Sequence, residues 1–187
     1  MKVLIIDNND SFTYNLKHYV NTFCDNIKVL RHYDANLKIV EDFDKILFSP
    51  GPGLPSEYVI LYKILEKYQS SKSILGICLG HQAIAEFYGA KLYNLDTPLH
   101  AFKSKITHLD NCYLFKNLEL NFDVGHYHSW AVLPASMTEK LEQTSYNSDG
   151  IIMSLKHINY DVRGIQFHPE SILSEYGLNI IKNWLSN

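Results

Sequence analysis

Ile74-Leu75-Gly76-Ile77-Cys78-Leu79-Gly80-His81-Gln82 decides the fold. Four residues with no polar alternation read as a strand buried on both faces, the mark of a parallel strand inside a layered sheet. A sharp turn at Cys78 follows, and Leu79 to Tyr88 reads as a helix. The same strand–turn–helix grammar runs outward in both directions. Val3 to Ile6 is an apolar run stopped by Asp7. Asp10-Ser11 then opens a helix carrying Phe12, Leu16, Tyr19, Val20 and Phe23 at helical spacing. Ile27 to Leu30 and Lys45 to Phe48 are further strands, the second ended by Ser49-Pro50-Gly51-Pro52-Gly53. Val59 to Tyr68 is a helix with Tyr62, Leu65 and Tyr68 on one face.

Alternating strands and helices predict an α/β fold, a mainly parallel central sheet with helices on both faces. From Lys91 to Met153 the pattern changes to short β-like pieces, such as Lys91 to Leu95 and Lys103 to Leu109, between polar turns. No linker separates them, so they are expected to form a smaller antiparallel addition to the same sheet. Arg163 to Phe167 reads as a late strand. Ser174 to Leu185 reads as a closing helix with Tyr176, Ile180, Ile181 and Trp184 buried. With no repeat and no low-complexity tract, residues 1–187 are expected to be one domain.

Composition narrows the function. Hydrophobic residues make up 46% and charged residues 20%, which excludes disordered and fibrous classes. The formal net charge is −3, and Arg31 and Arg163 are the only arginines, so no basic stripe for nucleic acid is expected. No apolar run is long enough for a membrane span, and acidic Asp7 and Asp10 close to the start argue against a signal peptide. Cys24, Cys78 and Cys112 make an odd number with no CxxC pair, which points to free thiols and a reducing, cytoplasmic setting.

Of the three, Cys78 stands apart. Gly76-Ile77-Cys78-Leu79-Gly80 is the thiol form of the G-x-S-x-G nucleophile elbow. Glycines on both sides leave room for a strained turn, and the following helix start favours the thiolate. The Leu79 N–H is placed to donate to an oxyanion. Cys24 and Cys112 read as packing residues. Phe167-His168-Pro169-Glu170 supplies a base and its orienting carboxylate, expected to share one side of an extended segment. Pro50-Gly51-Pro52-Gly53 lies where α/β ligands bind and adds a backbone donor from Gly51 or Gly53. His81 reads as a helix-packing residue, and His126 with His128 lacks a third metal ligand, so no metal site is expected. His18, His32, His100, His108 and His157 read as ordinary surface or core residues.

These motifs occur in one order. Asp7-Asn8-Asn9-Asp10-Ser11-Phe12-Thr13-Tyr14-Asn15 comes first, then Ser49 to Gly53, Gly76 to Gln82, and Phe167 to Glu170. The set resembles the class I (triad) glutamine amidotransferases, whose fold is flavodoxin-like. The opening motif is similar to the branch serving anthranilate synthase and aminodeoxychorismate (para-aminobenzoate) synthase. The resemblance implies Cys78 as nucleophile, His168 as base and Glu170 as its orienting group. It implies an oxyanion hole at Gly51 and Leu79, and glutamine binding by Gly51, Pro52, Gly53, Gln82, Ser129 and Trp130. Trp130 stands where the family has leucine in a Tyr-His-Ser-Leu segment. His100-Ala101-Phe102-Lys103-Ser104 stands where the family often shows His-Gly-Lys-Thr-Ser near the partner.

The function so implied is hydrolysis of L-glutamine, with ammonia delivered to a chorismate-using synthase partner, component I. No cofactor is expected in this chain, and magnesium is expected only in the partner. Rival readings of the residues are a stand-alone cysteine hydrolase or peptidase, and a non-catalytic redox-sensing subunit.

Overall fold

The computed structural model describes all of residues 1–187. One nine-stranded sheet runs through the molecule in the order β2-β1-β3-β4-β9-β8-β7-β5-β6. The parallel half contains β1 (Val3–Asp7), β2 (Ile27–Arg31), β3 (Lys45–Phe48), β4 (Ser73–Ile77) and β9 (Val162–Ile165). Its order is that of the flavodoxin-like doubly wound sheet, in which ligands sit beyond the carboxyl ends of the strands.

Period-two alternation explains why both faces are covered. Leu4, Ile6, Ile46, Phe48 and Ile74 point into a core closed by α2 (Leu37–Val40), α3 (Val59–Tyr68) and α4 (Leu79–Phe87). Val3, Ile5, Leu47, Leu75 and Ile77 point the other way, under α1 (Thr13–Asn21) and α5 (Gly177–Ser186). Every one of these strand residues is fully buried. No helix is long and apolar enough to cross a membrane.

Several expectations need correction. The buried face of α3 is Leu61, Ile64, Leu65 and Tyr68, while Tyr62 is only half-buried and donates its hydroxyl to Glu86 Oε2 at 2.9 Å. The two short pieces expected between Lys91 and Leu109 are one strand, β5 (Leu92–His108), bent by irregularities between Asn94 and Leu99 and between His100 and Phe102. β5 pairs antiparallel with β6 (Asn121–Val132) and β7 (Leu141–Asn147), and β8 (Ile152–His157) joins β7 to β9. The closing helix begins at Gly177 rather than Ser174. Ser174 and Glu175 are engaged elsewhere: Gly125 N donates to Ser174 Oγ at 2.9 Å and Asp123 N to Glu175 Oε2 at 2.8 Å. The strand expected at Arg163 to Phe167 ends at Ile165.

His81, His126 and His128 lie in the interior. His81 packs on Gly164, where an added methyl would stand 2.7 Å from its Nδ1. Burial pushes its pKa down to about 4. His126 and His128 hydrogen-bond each other at 3.3 Å. Burial, and then the neighbouring His168, brings His126 to about 4, while burial and then His126 bring His128 to about 3.

Ala101 sits at φ 51° on the second β5 irregularity, a left-handed geometry costing a non-glycine residue about 1–2 kcal/mol. Ala101→Gly should therefore raise unfolding stability by about 0.5–1 kcal/mol after glycine's own entropic cost, measured by urea denaturation. The buried histidines set an acid limit. Their folded pKa values lie below the unfolded value of about 6.5, so the unfolded chain binds more protons in between. Stability should fall as pH drops from about 6.5 toward 4, by up to about 1.4 kcal/mol per pH unit for each histidine. Melting temperature recorded across that window checks the slope, and His126→Gln should flatten it.

Candidate active site

The carboxyl ends of β1, β3, β4 and β9 converge on one cleft. Asp7 organises the first loop. Its Oδ1 accepts from Asn9 N at 3.0 Å, Asp10 N at 3.3 Å and Thr13 Oγ1 at 3.0 Å, and Arg31 pairs with Oδ2 at 3.3 Å. Asn8 then ties this loop to the one after β3: Asn8 N donates to Ser49 Oγ at 2.9 Å and Nδ2 to Ser49 O at 2.8 Å. Tyr58 Oη donates to Pro52 O at 2.8 Å and lies 3.2 Å from Asn8 O. Gly51 lies so close to this clamp that a methyl there would stand 2.5 Å from Asn8 O. The opening motif and the Pro-Gly turn thus form one rigid wall.

Cys78 stands between β4 and α4 at φ 50°, ψ −101°, a region non-glycine residues rarely enter. Its N–H donates to Ile165 O at 2.8 Å, and its carbonyl accepts from Gln82 N at 3.0 Å in the first turn of α4. Glycine at 76 is required because a methyl would strike the Gly80 backbone, and at 80 because it would meet Phe48 Cβ at 2.7 Å. The helix therefore starts immediately at the sulfur, with the Leu79 N–H among its unpaired first-turn donors. Cys24 and Cys112 are also free thiols, both half-buried and away from the cleft. Burial pushes the Cys112 thiol up.

His168 and Glu170 meet differently from the expected extended segment. His168 bridges Gly125 of β6, donating its N–H to Gly125 O at 3.0 Å, and the chain then turns, with Ser171 N donating back to His168 O at 3.2 Å. The turn folds Glu170 onto the imidazole, so His168 Nδ1 donates to Glu170 Oε1 at 2.7 Å with both side chains buried. Burial alone would lower the His168 pKa. The Glu170 carboxylate, and after it the Cys78 sulfur, outweigh burial and hold it well above the usual histidine value. His168 Nε2 makes no hydrogen bond of ordinary geometry, yet lies close enough to Cys78 for the sulfur to act on the ring. Tyr127 and Phe12 pack edge-on against the imidazole, with ring centroids at 4.9 and 6.0 Å.

A cleft of about 230 Å³ opens over Cys78. That is below the roughly 300–1,000 Å³ of pockets for drug-sized ligands and suits a small metabolite. Gly51, Pro52, Gly53, Cys78, Gln82, Ser129 and Trp130 line it, which brings the expected binding positions together. His100, Tyr127 and His128 also line it. Tyr127 and His128 precede Ser129 on β6, and in the sequence they stood only in the Tyr-His-Ser segment and, for His128, in the His126–His128 pair. His100 stood only at the head of the His100-to-Ser104 segment and otherwise read as an ordinary residue, because the bend in β5 that brings it to the cleft is invisible in the pattern. No group of three or more His, Cys, Asp or Glu side chains gathers as a metal site.

A family profile described as "Glutamine amidotransferase class-I" matches residues 4–187. A putative anthranilate synthase component II of Haemophilus influenzae is 41% identical over 100% of this chain and 96% of its own length. Aminodeoxychorismate synthase component 2 of Escherichia coli is 37% identical, covering 98% of both chains. The crystal structure of a putative GMP synthase protein from Thermoplasma acidophilum superposes with a TM-score of 0.89 at 20% identity, over 100% of this chain and 92% of that one, which establishes the shared fold. With an elbow cysteine, a carboxylate-held histidine and a full-length family match, the chain belongs to the class I glutamine amidotransferases.

Proposed function

We propose that this chain is a glutaminase subunit that hydrolyses the side-chain amide of L-glutamine and hands ammonia to a chorismate-aminating component I chain. One observation carries the chemistry: a cysteine held at positive φ on a helix start, beside a histidine–glutamate pair, under a cleft sized for a small metabolite. In the proposed cycle Cys78 attacks the amide carbon of glutamine. The Gly51 and Leu79 N–H groups receive the developing oxyanion, each donor lowering the barrier by roughly 2.7–4 kcal/mol. His168 gives its proton to the departing ammonia, then draws one from water to hydrolyse the thioester. Glu170 keeps the Nδ1–H tautomer, so that Nε2 faces the sulfur.

Gln82, Ser129, Trp130 and the Gly51-Pro52-Gly53 turn are proposed to bind the glutamine backbone groups and side chain. The cycle uses no cofactor in this chain. The partner assignment is supported by the names of full-length relatives, which include both anthranilate synthase and aminodeoxychorismate synthase components. The two partners aminate the same substrate. Co-purification of component I, with assay of its product from chorismate and glutamine, identifies which one is served.

Cys78→Ala should abolish glutamine turnover in the assembled complex while leaving the melting temperature near the parent's. Turnover persisting in that variant refutes the assignment. Glu170→Gln should reduce kcat less than Cys78→Ala. Because the carboxylate holds the His168 pKa up, Glu170→Gln should also move its protonation midpoint to lower pH, read from the imidazole NMR signal.

A further inference from the structure

A buried chain of amides runs behind the nucleophile. Gln166 is fully buried just past the end of β9, and its backbone N–H donates to Met153 O at 2.8 Å. Its side chain spans the gap between Cys78 and Gln82. The direction of each hydrogen bond is forced from one end. Trp130 O can only accept, so Gln82 must present its amide nitrogen there, at 2.8 Å. The same nitrogen lies 3.1 Å from the Gln166 amide, which must therefore offer its oxygen. The Gln166 nitrogen is then left facing Cys78 Sγ, at 3.6 Å, within the range of an N–H···S hydrogen bond.

The far side of Trp130 O is anchored as well. His128 Nδ1 donates to it at 2.9 Å, His128 Nε2 accepts from His126 Nδ1, and His126 Nε2 accepts from Ser104 Oγ at 2.7 Å. Both rings are held neutral by burial, so this directionality persists at neutral pH. The amide chain therefore has a fixed polarity, pointing N–H groups at the sulfur.

We infer that Gln166 is a positioning residue of this site, steering the Cys78 sulfur with its amide N–H and turning Gln82 with its amide oxygen. Two consequences follow. A donor aimed at the sulfur stabilises the thiolate over the thiol and biases its rotamer. Both Gln82 N–H groups are engaged, so Gln82 is left with its Oε1 as acceptor at the cleft, matched to a donor such as the amide or ammonium group of glutamine. The second consequence rests on the glutaminase reading, whereas the first stands on the geometry around the sulfur. The other titratable groups around Cys78 are His168 from the loop after β9 and, lining the same cleft, Tyr127 and His128 from β6 and His100 from β5, none of which is itself altered by substitution at 166.

Gln166→Met and Gln166→Asn test this. Methionine keeps the volume without a donor, and asparagine keeps the amide but draws it back by one methylene. The rate of Cys78 alkylation by iodoacetamide is measured across pH in the full chain, with near-UV circular dichroism to confirm packing. Both variants should shift the profile to higher pH and slow alkylation at neutral pH about three- to tenfold. The KM for glutamine should rise in the complex with component I. If Gln166→Met does not fold, Gln166→Asn decides. A folded variant whose alkylation profile overlays the parent's overturns the inference. Absence of glutamine turnover in the parental complex would overturn the glutaminase reading instead, and the alkylation profiles would still decide the role of Gln166.

Discussion

The backbone of Cys78 at φ 50° is the constraint on which the rest of the structure depends. Such a conformation costs about 1–3 kcal/mol and persists only where its surroundings over-determine it. Here they do. Ile165 O on one side and Gln82 N on the other hold the peptide groups flanking the sulfur. Gly76 and Gly80 let β4, α4 and β3 approach to distances that any side chain would prevent. Ile77 and Leu79, on either side of the turn, are buried, each contributing about 1.5–3 kcal/mol. Relaxing the elbow would withdraw both from the core, so strain at one residue is outweighed by packing at its neighbours.

The parallel half of the sheet builds only half of the cleft. It delivers the sulfur and the Gly51 wall, but the opposite wall comes from the antiparallel half through β6. Gly125 of β6 holds His168 by a single bridge, and Tyr127 to Trp130 of the same strand line the cleft. Gly125 cannot carry a side chain, since a methyl would meet Ser171 Oγ and Leu173 Cβ at 2.9 Å. The imidazole is therefore positioned by both halves at once: β9 leads into it from one side and β6 fixes it from the other. Continuity of the sheet, rather than any one loop, sets the separation of sulfur and base.

The parallel half was legible because its strands are buried on both faces and read as unbroken apolar runs; β3 and α3 fall at the expected bounds. The elbow, the His168–Glu170 pair and the Pro-Gly turn were legible because their chemistry demands unusual residues at close spacing. The antiparallel half hides itself for two physical reasons. The irregularities of β5 break its alternation, and much of its length is exposed. In β7 and β8 the interior carries hydroxyls instead of hydrocarbon: Thr144 and Ser145 each meet Ser154 at 2.6 Å, fully buried. A buried hydroxyl network looks polar in a sequence although it packs as core. Gln166 is hidden in the sequence for the same reason, being a buried polar residue whose partners lie far away along the chain.

Histidine shows how far environment overrides residue type in this fold. His81, His126, His128 and His168 are all buried, and burial disfavours the charged ring in every case. The first three have no carboxylate partner and are driven neutral. His168 has Glu170 at 2.7 Å, in an interior where that attraction is little screened, and its shift is reversed. The neutral rings of His126 and His128 supply one fixed donor and one fixed acceptor each, which suits a rigid hydrogen-bonded chain. The ring of His168 is instead held in its protonated form more readily than the others, which suits the proton donor of the proposed cycle. Glu170 is thus what separates a structural histidine from a reactive one, and the turn at Pro169 is what brings it there.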